Sequence, residues 1–132
     1  MTGFSPPDFV PPETDFDLWA RVVKHPRTVS FIASVRDASG THDAGAGALE
    51  VHDEIACLFG LSTLQPYRKR GIQQSLIAAR LNLAASRGVR VATIGSRPGA
   101  GTERNVRRMG FHTAYTKVFL TRAGSGLVPA RG

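Results

Sequence analysis

Apolar residues recur along this chain with two different periods, and the change from one to the other divides it. Between Thr28 and Leu61 they come in short β-branched and aromatic runs; between Ile72 and Ala84 they recur every third or fourth residue. The run from Thr28 to Val35, TVSFIASV, predicts a strand, and Asp37 to Gly40 supplies the turn chemistry to reverse it. Ala44 to Val51 predicts a second strand, weakened by Gly45 and Gly47, followed by a tight polar turn at His52-Asp53-Glu54. Ile55 to Leu61, IACLFGL, is continuously apolar, as expected of a central strand buried on both faces. Three strands joined by short turns make an antiparallel meander.

The helical stripe comes next. Ile72, Leu76, Ala79 and Leu83 share one line, Ile77, Leu81 and Ala84 adjoin it, and Gly88 follows the last turn as a stop. Val89 to Ile94 predicts a strand, and Gly95 to Gly101 is a Gly/Pro loop. Thr102 and Glu103 open a short helix ending near Gly110, and Phe111 leads into a last predicted strand, Tyr115 to Leu120. The order β-β-β-α-β-α-β implies an α/β (α+β) fold with a mixed, mostly antiparallel central sheet. Its β-α-β unit should be parallel and right-handed, with the helix on one face.

Upstream, Thr14-Asp15 can cap a short helix with Phe16, Trp19, Val22 and Val23 on one face, stopped by Pro26. The pairs Pro6-Pro7 and Pro11-Pro12 favour extended backbone before it. The expected organisation is a Pro-rich arm and short helix over 1–27, a folded body over 28–122, and a loose tail over 123–132.

Composition narrows the chemistry. The 132 residues suit one domain, and no apolar run approaches a bilayer span. The N-terminus lacks a basic segment followed by an apolar one, so no signal peptide is expected and a cytoplasmic setting is. Cys57 stands alone inside an apolar strand, which suits a structural thiol. No pair of His25, His42, His52 and His112 has metal-ligand spacing, so no metal is expected. The net charge is +7, and every Asp and Glu except Glu103 precedes residue 55. The C-terminal half is therefore strongly basic, and an anion belongs there.

Arg68-Lys69-Arg70-Gly71 stands directly before the helical stripe. A basic run by itself reads as a solvated surface or a nucleic-acid patch. At a helix start it reads differently, because the first turn offers unpaired amides and a partial positive charge. Gly71 lets an anion approach that backbone without a Cβ in the way. The arrangement suits a compact pyrophosphate better than a duplex, which demands cations spread over several elements. Nucleic acid is also disfavoured because few aromatics interleave the basic half beyond Tyr67, Phe111, Tyr115 and Phe119.

The stretch LFGLSTLQPYRKRGIQQSLIAARL, the strand after it and TERNVRRMGF together resemble the acyl-CoA-binding motif of the GNAT acetyltransferase superfamily. That motif is a strand, an Arg/Gln-x-x-Gly-x-Gly/Ala loop and a helix; Arg68, Gly71 and Gln73 occupy its marked positions, Gln73 in place of the usual small residue. The resemblance runs from about Thr28 to Leu120. It implies that backbone at Leu61, Ser62, Thr63 and Leu64 binds the pantetheine and acyl carbonyl of acetyl-CoA. It also implies that Arg68, Lys69, Arg70, Gly71, Ile72 and Gln73, with Gln74 and Ser75, hold the pyrophosphate, and that Asn105 and Arg108 line the far side.

The implied activity is N-acetyl transfer from acetyl-CoA to an amine by direct attack. Many GNAT enzymes carry a Tyr four residues before the glycine of the Gly-Phe pair, to protonate the leaving thiolate; that position is Val106 here. Tyr115 is the substitute candidate acid and Glu50 the candidate base. The alternative is a non-catalytic acyl-CoA-binding or regulatory module of the same fold. GNAT domains commonly begin with a strand and two covering helices, whereas this chain offers one short helix and resembles the C-terminal portion of larger members. A pocket completed by a second subunit, hence a homodimer, is the corresponding expectation.

Overall fold

The structure, a computed structural model, describes residues 13–120. The Pro-rich arm through residue 12 and the tail from residue 121 lie outside the described residues. Helix α1 spans Glu13–Val23, and three strands follow: β1 at Thr28–Asp37, β2 at Gly40–His52 and β3 at Ile55–Thr63. After a single 3-10 turn at Gln65–Tyr67 come α2 at Ile72–Ser86, β4 at Val91–Ile94 and α3 at Gly101–Arg108. The sheet order is β1-β2-β3-β4. The first two pairings are antiparallel, and β3 with β4 is parallel, as the connection through α2 requires.

The core lies between the sheet and α2. Leu49, Ala56, Leu58 and Leu61 from the strands meet Leu76, Ile77 and Ala84 from α2, with Val106 of α3 closing one end. Gly45 and Gly47 are what let α2 sit this close. A Cβ at Gly45 would come within 3.1 Å of Ile72 Cγ2 on α2 and within 2.6 Å of the Ser62 carbonyl oxygen on β3, and one at Gly47 within 2.9 Å of Arg80 Cζ. The two glycines that weaken β2 as a strand are thus needed by the packing.

Two expectations change. β3 is not equally buried on both faces: Ala56, Leu58 and Leu61 are buried, whereas Cys57 and Phe59 on the opposite face are half-buried. That opposite face carries α1, whose Trp19 ring would lie 3.3 Å from a Cβ at Gly60. One short helix covers less than a full layer would.

The predicted last strand is the second change. Residues 111–120 follow α3 without regular structure, and Tyr115 and Leu120 are 77% and 93% exposed. Strand propensity in that stretch is realised only against a pairing edge, and among the described residues the segment pairs with none.

Candidate functional site

The site begins where β3 and β4 separate. Their parallel pairing ends at Leu58 opposite Ile94, but β3 continues to Thr63. Parallel strands end on the same side of a sheet, and a crevice outside their carboxyl ends is the usual ligand position in such folds. Here that crevice is a cleft of about 920 Å3. Its strand wall is Leu61, Ser62 and Thr63, its floor Arg68, Lys69, Gly71, Ile72, Gln73 and Gln74, and its far wall Asn105 and Arg108. Residues read separately from the sequence are brought together in one place.

Leu64, Arg70 and Ser75 do not line it. Leu64 instead ties the end of β3 to β2, its amide donating to the Ala44 carbonyl at 2.9 Å. Arg70 turns back over the Tyr67 ring, 5.7 Å from its centroid. Ser75 is already inside the helix, donating its amide to Gly71 O at 3.0 Å.

Arg104, one of the basic residues of α3, also lines the cleft, as do Tyr67, Arg97, Gly101 and Thr102, which sequence reasoning missed. The available signal was topological. A parallel β4 delivers its following loop, Gly95 to Ala100, and the start of α3 to the same crevice as the loop after β3.

Two helix starts converge there. Gly71, just before α2, has φ +77° and ψ 2°, and no side chain caps the helix behind it. Lys69 also lies in the left-handed region, at φ +61°. Left-handed residues of this kind turn successive amides toward one concavity, a recognised anion cradle. The two helices are then latched. Gln73 Nε2 donates to Thr102 Oγ1 at 2.9 Å, and Asn105 Nδ2 donates to Gln73 Oε1. Gln73 thus does not project over the loop amides; it fastens the first turn of α2 to α3.

Electrostatics favour an anion throughout. Arg68, Lys69, Arg97, Arg104 and Arg108 line the cleft, and among the described residues no carboxylate does. Glu103, on α3 nearby, is directed elsewhere: the Gly99 amide donates to its Oε2 at 2.6 Å, and Arg107 bonds its Oε1. The Gly99 amide, then Arg107, hold its carboxyl below the usual range. On the strand wall, Thr63 Oγ1 is buried without a hydrogen-bond partner among the described residues. Five cations, two helix starts and an unpartnered hydroxyl beside a strand end fit a ligand with a polyanionic end and a polar, extended remainder.

The two candidate catalytic side chains lie elsewhere. Glu50 sits opposite Thr28 on β1 and Cys57 on β3, several residues before the level at which the cleft opens. Its flanking residues Leu49 and Val51 pack on the core side, so its own side chain emerges on the face away from α2. Thr28 Oγ1 donates to Glu50 Oε1 at 2.6 Å, and His52 Nε2 stands 2.9 Å from Oε2. These partners, Thr28 first and then His52, lower its pKa, so it is ionised and already engaged at neutral pH. His25 approaches the same carboxylate at 3.9 Å, a clustering of histidines that their sequence spacing did not suggest. Tyr115 is exposed beyond α3 and does not line the cleft. Val106 is buried in the core. Among the described residues no group of His, Cys, Asp and Glu could hold a metal ion, and no helix is long and apolar enough to cross a membrane.

No protein-family model matches the sequence, and no curated protein matches it. Solved structures do match in fold. A Trypanosoma brucei acetyltransferase superposes with a TM-score of 0.67 at 13% identity, over 91% of this chain and 87% of that one. AAC(6')-Iy, in complex with the bisubstrate analogue CoA-S-monomethyl-acetylneamine, gives 0.65 at 20% identity, over 93% and 86%. The ribosomal-protein-S18-alanine N-acetyltransferase of Escherichia coli gives 0.63 at 18%, over 83% and 66%. With its splayed β3 and β4, its loop-to-helix cradle and α3 across the crevice, the chain has the fold of the GNAT acetyltransferases.

Proposed function

We propose that this chain is an N-acetyltransferase that binds acetyl-CoA in the β3–β4 cleft and transfers the acetyl group to an amine. One observation carries the reading: a cleft with cations and amides at its floor ends against a strand edge freed from its neighbour. The amides of Gly71 to Gln74, with Arg68 and Lys69, would hold the pyrophosphate, and Arg97, Arg104 and Arg108 the remaining phosphate. Backbone groups of Leu61 to Thr63 would bond the pantetheine arm and orient the thioester carbonyl. Bound acetyl-CoA supplies an activated acyl carbon and a thiolate leaving group. Among the described residues no carboxylate lines the cleft, and in this reading the amine would arrive neutral or lose its proton to solvent.

Calorimetry with acetyl-CoA and CoA, followed by thiol release over a panel of amines, tests this. Micromolar binding that weakens with salt, together with amine-dependent thiol release, is the expected result. No binding of either ligand sinks the proposal. Binding without release from any amine favours the second reading, a non-catalytic acyl-CoA-binding module. That reading is supported by Val106, buried where many GNAT enzymes place a Tyr, and by Tyr115 lying off the cleft. Steep salt-dependent binding to nucleic acid, with none to CoA, would instead point to the basic surface.

A homodimer in a cytoplasmic setting belongs to the same proposal. Among the described residues β4 is paired on its β3 side alone, and Tyr115, Val118, Phe119 and Leu120 are strongly exposed. An open edge and an exposed apolar segment are liabilities that a second copy could cover. Sedimentation at micromolar concentration is expected to show a dimer, and a monomer under those conditions refutes it.

A further inference from the structure

Arg80 points from α2 into the core and has no exposed surface. Among the described residues no carboxylate pairs with it. Burial alone pulls its pKa down to about 10, so it remains charged at neutral pH. A buried cation without a counterion is costly and persists only when other groups hold it.

Among the described residues its partners are main-chain carbonyls, held through Nε and Nη1, while the buried Nη2 has none. Nε donates to Leu76 O at 2.9 Å in its own helix. Nη1 donates to Ala48 O on β2 at 3.0 Å and to Phe59 O on β3 at 3.2 Å. Those two carbonyls belong to residues that face each other in the pair bordering the point where the β2–β3 register slips: Ala48 is opposite Phe59, but Ala46 is opposite Ser62. Gly60, in the slipped stretch, has φ +61°. The residues after it, Leu61 to Thr63, are the strand wall of the cleft. On the other side of the guanidinium, Gly47 leaves no room for a Cβ, which would lie 2.9 Å from Cζ.

We propose that Arg80 is a positioning residue for the cleft: its guanidinium holds the β2–β3 bulge and so sets where Leu61 to Thr63 lie. Without it, two carbonyls in a dry interface lose their donor. They recover bonding most directly by drawing the strands back into a regular ladder. A one-residue slip of that kind turns every side chain beyond the bulge to the other face. The inference rests on the acetyl-CoA reading for its ligand and deepens it, because it assigns the acyl end of the cleft a dependence that the phosphate end lacks.

The test compares two ligands and one local probe across Arg80→Met, Arg80→Lys and Gly47→Ala. Arg80→Met should bind adenosine 3′,5′-bisphosphate within about twofold of the unaltered chain, yet bind acetyl-CoA about tenfold more weakly. Arg80→Lys should recover much of that loss, and Gly47→Ala should reproduce the split by displacing the guanidinium from the opposite side. Amide exchange at Leu61 to Leu64 should accelerate relative to the β1–β2 ladder. Equal losses for both ligands, tracking thermal stability, would overturn the proposal, as would no change for either. If the unaltered chain binds neither ligand, the acetyl-CoA reading fails. Exchange then decides for Arg80: acceleration confined to Leu61 to Leu64 upholds it, and a uniform change overturns it.

Discussion

Replacing Gly71 with valine is expected to weaken CoA binding about a hundredfold, roughly 2.7 kcal/mol, and to leave the chain folded. Gly71 holds φ +77° immediately before α2. A residue with a Cβ pays about 1–2 kcal/mol there, and a β-branched one is a marked outlier. If the loop keeps its shape, the valine methyl groups stand in front of the amides that would receive the pyrophosphate. If the loop relaxes, those amides turn away. Either response removes the cradle.

Folding should survive because the position is open: among the described residues a Cβ at Gly71 meets Gln74 Oε1 alone, at 4.0 Å. A strain of this size is small against the ~5–15 kcal/mol stability of an ordinary domain. Gly71→Ala separates the two contributions, since it carries the strain with little obstruction; about a tenfold loss is expected. Calorimetry alongside circular dichroism checks both. Binding by folded Gly71→Val within about threefold of the unaltered chain would show that the phosphates lie elsewhere.

How much of this was legible in the sequence depends on whether the signal was local. The change from strand runs to a helical stripe gave the element order as far as α3, since period reflects one element facing one core. The loop at Arg68 to Gln73 was readable because a glycine before a helix has a local meaning. Arg80 was not, because an arginine at the centre of a helical face reads as surface. Only the carbonyls of Ala48 and Phe59, distant in sequence, make that position its place. Gly45 and Gly47 were read as weakening β2, and the close approach of α2 that requires them is likewise non-local.

The same limit governs the catalytic candidates. Glu50 has the chemistry of a base, but strand register decides its neighbours, and register placed it beside Thr28 and His52 rather than in the cleft. Tyr115 stands in a run with strand propensity, but propensity cannot say whether an edge will receive it. Arg97 was missed for the opposite reason, since its place in the cleft comes from the parallel topology that was itself foreseen.

Gln73 carries the second large expectation, because it stands where the GNAT pattern has a small residue. If its bulk obstructed the phosphates, Gln73→Ala would tighten CoA binding. The geometry argues the reverse. The side chain is committed to Thr102 and Asn105, joining the two helix starts that bound the cleft. Removing it leaves two part-buried polar groups without partners and frees α3 to drift, so Gln73→Ala should weaken binding about fivefold. Gln73→Glu is nearly the same shape and can still accept from Asn105, but it places a negative charge among the cations that would hold the pyrophosphate. Two unit charges 4 Å apart interact by about 4 kcal/mol at an effective dielectric constant of 20. Even partial screening should therefore make the glutamate variant at least about tenfold worse than the alanine one. The order unaltered, Ala, Glu in falling affinity, with the Glu deficit shrinking in high salt, marks the latch as part of the anion site. Tighter binding by Gln73→Ala would instead make Gln73 an obstruction, and equal affinity for Ala and Glu would put the phosphates away from α2.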